Sequence, residues 1–206
     1  MKKVFMILFF LGSMGILDAQ NKEVEDNPKK AKLDLLEIIL GADAATLTGN
    51  SPDFSNVFGV QTGIQIPVAK LSDNVGLGLG AIYSMQGGKY KSYEYIPGGD
   101  YGNSSATSRL NYLNFPVLAR YQKQRQGFFA EAGVQPGVLL SAKNKGENIK
   151  DNLKKFDVGI PIGVGYQFKN KFGVGLRFTP GLLNINKDEQ YKTRNMVTSL
   201  RASYAL

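Results

Sequence analysis

Between Phe156 and Phe168 the sequence FDVGIPIGVGYQF alternates two populations of side chain. Even positions carry Phe156, Val158, Ile160, Ile162, Val164, Tyr166 and Phe168; odd positions carry Asp157, Gly159, Pro161, Gly163, Gly165 and Gln167. A period of two puts each population on its own face of an extended strand. One face is uniformly bulky and apolar, the other small or polar, and few folds can accommodate that division. The next tract repeats it, with Phe172, Val174, Leu176, Phe178, Pro180 and Leu182 against Gly173, Gly175, Arg177, Thr179 and Gly181. So does FFAEAGVQPGVLLSA at 128–142, where Glu131 sits among the small residues.

Eight such tracts follow one another, near 36–46, 57–68, 74–87, 109–121, 127–142, 156–168, 172–183 and 194–206. Long connections (47–56, 88–108, 143–155, 184–193) alternate with short ones, AKLSD, QKQRQ and KNK. An even number of strands with a loop end and a turn end predicts an all-β, eight-stranded antiparallel up-and-down barrel. The 24 Gly, 10 Tyr and 12 Phe suit close backbone packing with aromatic edges.

Size decides which face is inside. An eight-stranded barrel has an interior just wide enough for side chains to fill, so the Gly and polar face fits there and the bulky face does not. The apolar face therefore points out, and a continuous apolar belt belongs in lipid. Twelve steps of strand make roughly 40 Å, or about 30 Å of height at a transmembrane tilt, enough for the hydrocarbon layer. The barrel is predicted to be transmembrane, with outer-membrane lipid as its first partner. Pro136, Pro161 and Pro180 cannot donate to a ladder, so a bulge or open pairing is predicted at each.

The start of the chain reads separately. MKKVFMILFFLGSMGILDAQ has a basic opening and an apolar run from Val4 to Leu17, the pattern of a cleaved signal peptide over 1–19. Residues 20–35 read as a polar periplasmic leader, and 36–206 as the barrel domain. The net charge of +8 clusters in turns such as 123–126 and 169–171. On an exported chain it suits solvent or anionic head groups, and nucleic acid is not expected.

Absent residue types exclude chemistry. Without Cys or His there is no disulfide, thiolate or imidazole metal site, thiol nucleophile or Ser-His triad. No cofactor and no metal are expected. GLGLG at 76–80 lacks the helix a phosphate loop needs.

Strand parity supplies a lumen. Its charged members are Glu37, Asp43, Arg120, Glu131, Asp157, Arg177 and Arg201, with Gln61, Gln65, Ser84, Gln86, Tyr112, Asn114, Gln135, Gln167 and Thr179 beside them. A hairpin centred on Arg125 and Gln126 sets Arg120 directly opposite Glu131. An Arg fork satisfies a buried carboxylate, so a structural network is expected rather than an acid–base pair. Tyr90, Tyr93, Tyr95 and Tyr101, in a Tyr- and Gly-rich connection, form a candidate recognition loop beside the plainer reading of a solvated loop.

NVGLGLGAIYSMQGGKY, LNYLNFPVLARYQ, GFFAEAGVQPGVLLSAK and KFDVGIPIGVGYQF together resemble the outer-membrane protein beta-barrel domain family that includes the PorT-like proteins. The resemblance spans 36–206 and is most specific in QGGKY, NYLNFP and FAEAGVQPG. It implies a small barrel in a Gram-negative outer membrane and no enzymatic activity. The chain departs from the pattern in ending on Leu206 where such barrels often end on an aromatic. Three functions follow. One is a non-enzymatic surface protein whose loops serve adhesion, envelope contacts or recognition of a protein or glycan. The second is a PorT-like accessory of a secretion or assembly machine, with its partner on the periplasmic side. The third, disfavoured by the missing His and the filled lumen, is a lipid-modifying enzyme.

Overall fold

The structure, a computed structural model, describes residues 36–50, 54–96, 100–123 and 126–206, with backbone alone at 91–96 and 100–104. The expected signal peptide and leader lie outside these residues.

Twelve strands form one antiparallel sheet: β1 (Glu37–Gly49), β2 (Phe54–Ser55), β3 (Val57–Lys70), β4 (Val75–Ile96), β5 (Asp100–Asn114), β6 (Val117–Gln122), β7 (Gly127–Asn144), β8 (Glu147–Asn148), β9 (Phe156–Gly159), β10 (Ile162–Gln167), β11 (Phe172–Pro180) and β12 (Thr193–Ala205). Pairing runs β1–β3–β4, then through β5 and β6 to β7, through β9 and β10 to β11, and on to β12. The last strand then pairs with the first, from Glu37↔Ala205 to Gly49↔Thr193, so the pairings form a closed cycle. Closure removes the exposed edges that a sheet of this length would otherwise present.

Among the described residues the eight expected tracts appear as twelve strand segments. Two of the eight tracts are broken, at Phe115–Pro116 and at Ile160–Pro161, and two further strands of two residues each, β2 and β8, arise in connections. Register survives both breaks. The pairing of β7 runs from Gln122↔Phe129 through Val117↔Val134 to Asn114↔Gly137 without a shift. Across the other break, Ala132↔Ile162 continues as Gln135↔Gly159. True register shifts lie elsewhere, at Pro67/Ala69 and Asn111/Tyr112.

The prolines lie on successive strands and share one device. Each lacks an amide, but its carbonyl accepts one from the next strand: Ile160 N–H to Pro180 O at 3.0 Å, Gly133 to Pro161 at 3.1 Å, Phe115 to Pro136 at 2.8 Å and Gly80 to Pro116 at 2.9 Å. Pairing is thus locally open at Pro161, while Pro136 stays inside β7 opposite Val158 and Pro180 ends β11.

The two faces separate by exposure. Phe58, Phe128, Val164, Leu176 and Leu200 are exposed, whereas Asp43, Gln61, Glu131, Arg177 and Arg201 are buried. An apolar exterior around a polar interior is the reverse of a water-soluble barrel. Near the short turns Phe128, Tyr166 and Phe168 contact one another edge-on, at 5.0 and 4.9 Å between ring centres. Aromatic girdles of this kind mark the edge of a lipid belt.

At the other end the connection expected over 88–108 is largely ordered. β4 and β5 continue as a ribbon, with Tyr93↔Asn103, Tyr95↔Tyr101 and Ile96↔Asp100 in register.

Candidate functional site

Glu131 of β7 is buried in the lumen, its side chain 2% exposed. On β6 its register partner is Arg120, whose Nη2 donates to Oε2 at 3.2 Å. On its other side Glu131 faces Gly163 of β10, and Gly163 faces Arg177 of β11. Because Gly163 has no side chain, Arg177 reaches across it and donates to Glu131 Oε1 through both Nε, at 2.9 Å, and Nη2. Arg201 of β12, the third guanidinium on this carboxylate, also donates to Oε1, at 3.0 Å. Arg120 also clasps Glu37 of β1 through two bonds, at 2.6 and 3.2 Å. Its guanidinium sits 4.4 Å from the centre of the Phe129 ring, a cation–π contact.

Five of the seven charged residues read from the sequence are therefore joined: Glu37, Arg120, Glu131, Arg177 and Arg201. The other two are held separately. Asp43 accepts from Gln61 Nε2 at 2.6 Å and Ser84 Oγ at 2.7 Å. Asp157 accepts from Asn195 Nδ2 at 2.8 Å and from the Val158 amide at 2.8 Å. The seven thus fall into three hydrogen-bonded groups: the quintet, Asp43 with Gln61 and Ser84, and Asp157 with Asn195 and the Val158 amide. Of the neutral lumen residues, Gln61, Gln65, Ser84, Gln86, Tyr112, Asn114, Gln167 and Thr179 are buried, and Gln135 is half-buried.

Glycine spacing creates the room for the quintet. A Cβ on Gly163 would lie 3.2 Å from Glu131 Oε1 and 3.0 Å from the Leu176 carbonyl; one on Gly165 would lie 2.3 Å from the Phe129 ring. Gly163→Ala is expected to cost about 1 kcal/mol by overpacking, read as a lower urea midpoint for unfolding from lipid vesicles. What space remains beside the quintet is a cavity of about 10 Å³, about one water.

Toward the long connections the interior turns apolar. Leu47, Leu110, Tyr112, Leu139, Ala142 and Ile185 form a buried cluster. Parity places Leu139 inside, but a lumen read only for polar residues does not announce such a cluster. Above it opens a larger cavity, about 240 Å³. Its apolar wall is Leu47, Phe54, Leu110, Ile149, Leu153 and Ile185; Tyr90, Ser108, Asn186 and Thr193 are its polar members. Two long connections are zipped together to build it, by Lys154 N–H to Ile185 O at 2.7 Å and Lys187 N–H to Asn152 O at 3.1 Å.

Tyr90, read as part of a recognition loop, belongs to β4. It packs edge-on against Phe54 at 5.6 Å, and its hydroxyl accepts from Asn144 Nδ2 at 2.7 Å. The side chains of Tyr93, Tyr95 and Tyr101 lie outside the described set. Among the described residues, no cluster of three or more acidic groups is placed to hold a metal ion.

A family model described as outer membrane protein beta-barrel domain matches residues 19–187. The chain belongs to that family. Membership places it in the outer membrane of a Gram-negative bacterium, consistent with the apolar exterior. The family match stops short of β12, the strand whose pairing with β1 closes the cycle.

No curated protein matches the sequence. Among solved structures the family member is similar to Neisserial surface protein A, at 13% identity and TM-score 0.52, over 83% of this chain and 97% of that one. It is also similar to the attachment invasion locus protein Ail of Yersinia pestis (13% identity, TM-score 0.44, 84% and 99% covered). The outer membrane enzyme PagL compares at 16% identity and TM-score 0.44, with 84% and 99% covered. At these identities the likeness concerns the fold alone.

Proposed function

We propose that this family member is a non-enzymatic, eight-stave transmembrane barrel whose filled lumen is a rigid scaffold. It presents its long connections at the cell surface for adhesion, envelope contacts or recognition. The observation that carries this reading is the quintet around Glu131, whose interlocked side chains occupy the lumen and leave a cavity of only about 10 Å³ beside them. A solute path is closed there, and the carboxylates are clasped by arginines rather than aimed at open space. The projecting β4–β5 ribbon, with its tyrosines, is the surface best placed to meet a partner.

Planar-bilayer recording tests the scaffold. No resolved conductance step is expected from the folded protein, and a reproducible unitary step would overturn the closed lumen. Display is tested by replacing 93–103 with Asn-Gly between Ser92 and Ser104, which pair directly. The shortened barrel is expected to insert normally. Cells carrying it should lose attachment to protein-coated surfaces or glycan arrays relative to cells carrying the full chain. Equal attachment throughout would remove the display reading.

A second reading, a PorT-like accessory of a secretion or assembly machine, is favoured by one observation. Lys123, Lys169 and Lys171 are exposed at the turn end, which would face the periplasm. Cross-linking from that end, with nothing captured from the ribbon, would select it.

A further inference from the structure

We infer that the mouth of the barrel is a binding site for a small, uncharged aromatic molecule of one or two rings. The cavity above the buried Leu47–Leu110–Ile185 cluster has the volume, the wall and the polarity for such a ligand, independently of any partner of the ribbon.

Volume sets the size. An apolar cavity of roughly 150 Å³ takes one benzene ring, so the 240 Å³ here takes a ring with a second ring or a short chain. The wall sets the class. Six apolar side chains surround the space, and Phe54 and Tyr90 stand in it as an edge-on pair. Such rings offer faces and edges to a third ring at the usual aromatic distances.

Polarity disfavours charge. The four polar members among the described residues, Tyr90, Ser108, Asn186 and Thr193, are neutral, so no described lining residue compensates an ionised group taken out of water. They can exchange one or two hydrogen bonds with a ligand hydroxyl or N–H.

The site is also built in advance. Leu110 and Ile185 at its base are each 1% exposed, and the two connections above it are joined by backbone bonds. The hydroxyl of Tyr90 is fixed by Asn144. Little ordering is left for a ligand to impose, which favours binding of a molecule with few contacts. The interlocked quintet occupies the lumen below, so the mouth is expected to hold its ligand without passing it on.

Methyl-labelled protein in lipid nanodiscs tests this, with indole as the probe and indole-3-acetate as its charged counterpart. Indole is expected to shift the methyls of Leu47, Leu110, Ile149, Leu153 and Ile185, saturating below its solubility limit. Leu176 and Leu200, on the lipid face, should move only by partitioning, in proportion to concentration. Ser108→Leu and Thr193→Leu, which fill the cavity from opposite walls, are each expected to weaken indole at least tenfold. Heat-modified gel migration shows that each variant is folded, and either variant suffices. Indole-3-acetate should bind at least tenfold more weakly than indole. Unsaturating shifts in the cavity methyls, or indole binding unchanged in a folded filled variant, would overturn the site. Equal binding of the two probes would overturn its uncharged class.

Discussion

Glu131→Gln is expected to destabilise the barrel by about 3–5 kcal/mol, the cost of removing one partner from a buried ion cluster. Three guanidiniums converge on that carboxylate, and Arg177 and Arg201 have no other ion pair among the described residues. A neutral amide keeps the shape and can still accept, but it leaves Glu37, which bonds only Arg120, as the one carboxylate within the quintet. Unfolding in urea from lipid vesicles, or the temperature at which the compact gel band converts to the slow one, measures the loss. Arg120 should tolerate the change best, because Glu37 holds it through two bonds. Glu131→Gln with Arg177→Met should recover part of the stability by removing the stranded charge. An unchanged transition in Glu131→Gln would show that the cluster does not hold the staves together.

Leu176→Arg is the second large effect, about 2–4 kcal/mol for a cation near the middle of the lipid face. Leu176 is the central residue of β11 and 55% exposed, next to the buried Arg177. Adjacent positions thus make opposite demands. An arginine at 177 is held by Glu131, whereas one at 176 meets hydrocarbon. Moving Leu176→Arg outward to Phe172→Arg, near the aromatic edge, should reduce the penalty to about 0–1 kcal/mol. Equal penalties at both positions would contradict a membrane belt on this face. Measurement in detergent alone should shrink the difference, since a micelle adapts to a charge more readily than a bilayer.

Much of this was legible in the sequence for a specific reason. Parity separates Phe156–Phe168 from Asp157–Gln167 because a strand has a period of two. The short 123–126 turn brings Arg120 opposite Glu131, residues only eleven apart. The clasp between Arg120 and Glu37 was not legible as a contact. Those residues lie on strands that are not neighbours in the sheet, and their meeting depends on the shear set by closing the whole ring. Arg177 reaching Glu131 depends instead on two successive registers, Glu131↔Gly163 and Gly163↔Arg177, and on the missing side chain between them. The apolar cluster at the mouth was hidden differently. A lumen inferred from polar residues gives no weight to Leu47, Leu110 or Ile185, and Ile185 lies in a connection between strands. The ribbon reads as a loop because YKSYEYIPGGDYGNSS lacks a regular apolar face, and backbone pairing of β4 with β5 does not require one.

The proline carbonyls described above have a mechanical consequence. On four successive strands the wall gives up amide donors, yet neither broken stave slips in register. The wall is perforated there rather than fractured. The inside–outside order of side chains is transmitted through the perforation intact. Asn114↔Gly137 and Gln135↔Gly159 on the mouth side keep the register set by Arg120↔Glu131 and Gly163↔Glu131 on the other. One continuous alignment therefore joins the arginine cluster to the mouth, and the missing donors do not divide the wall into two independent parts.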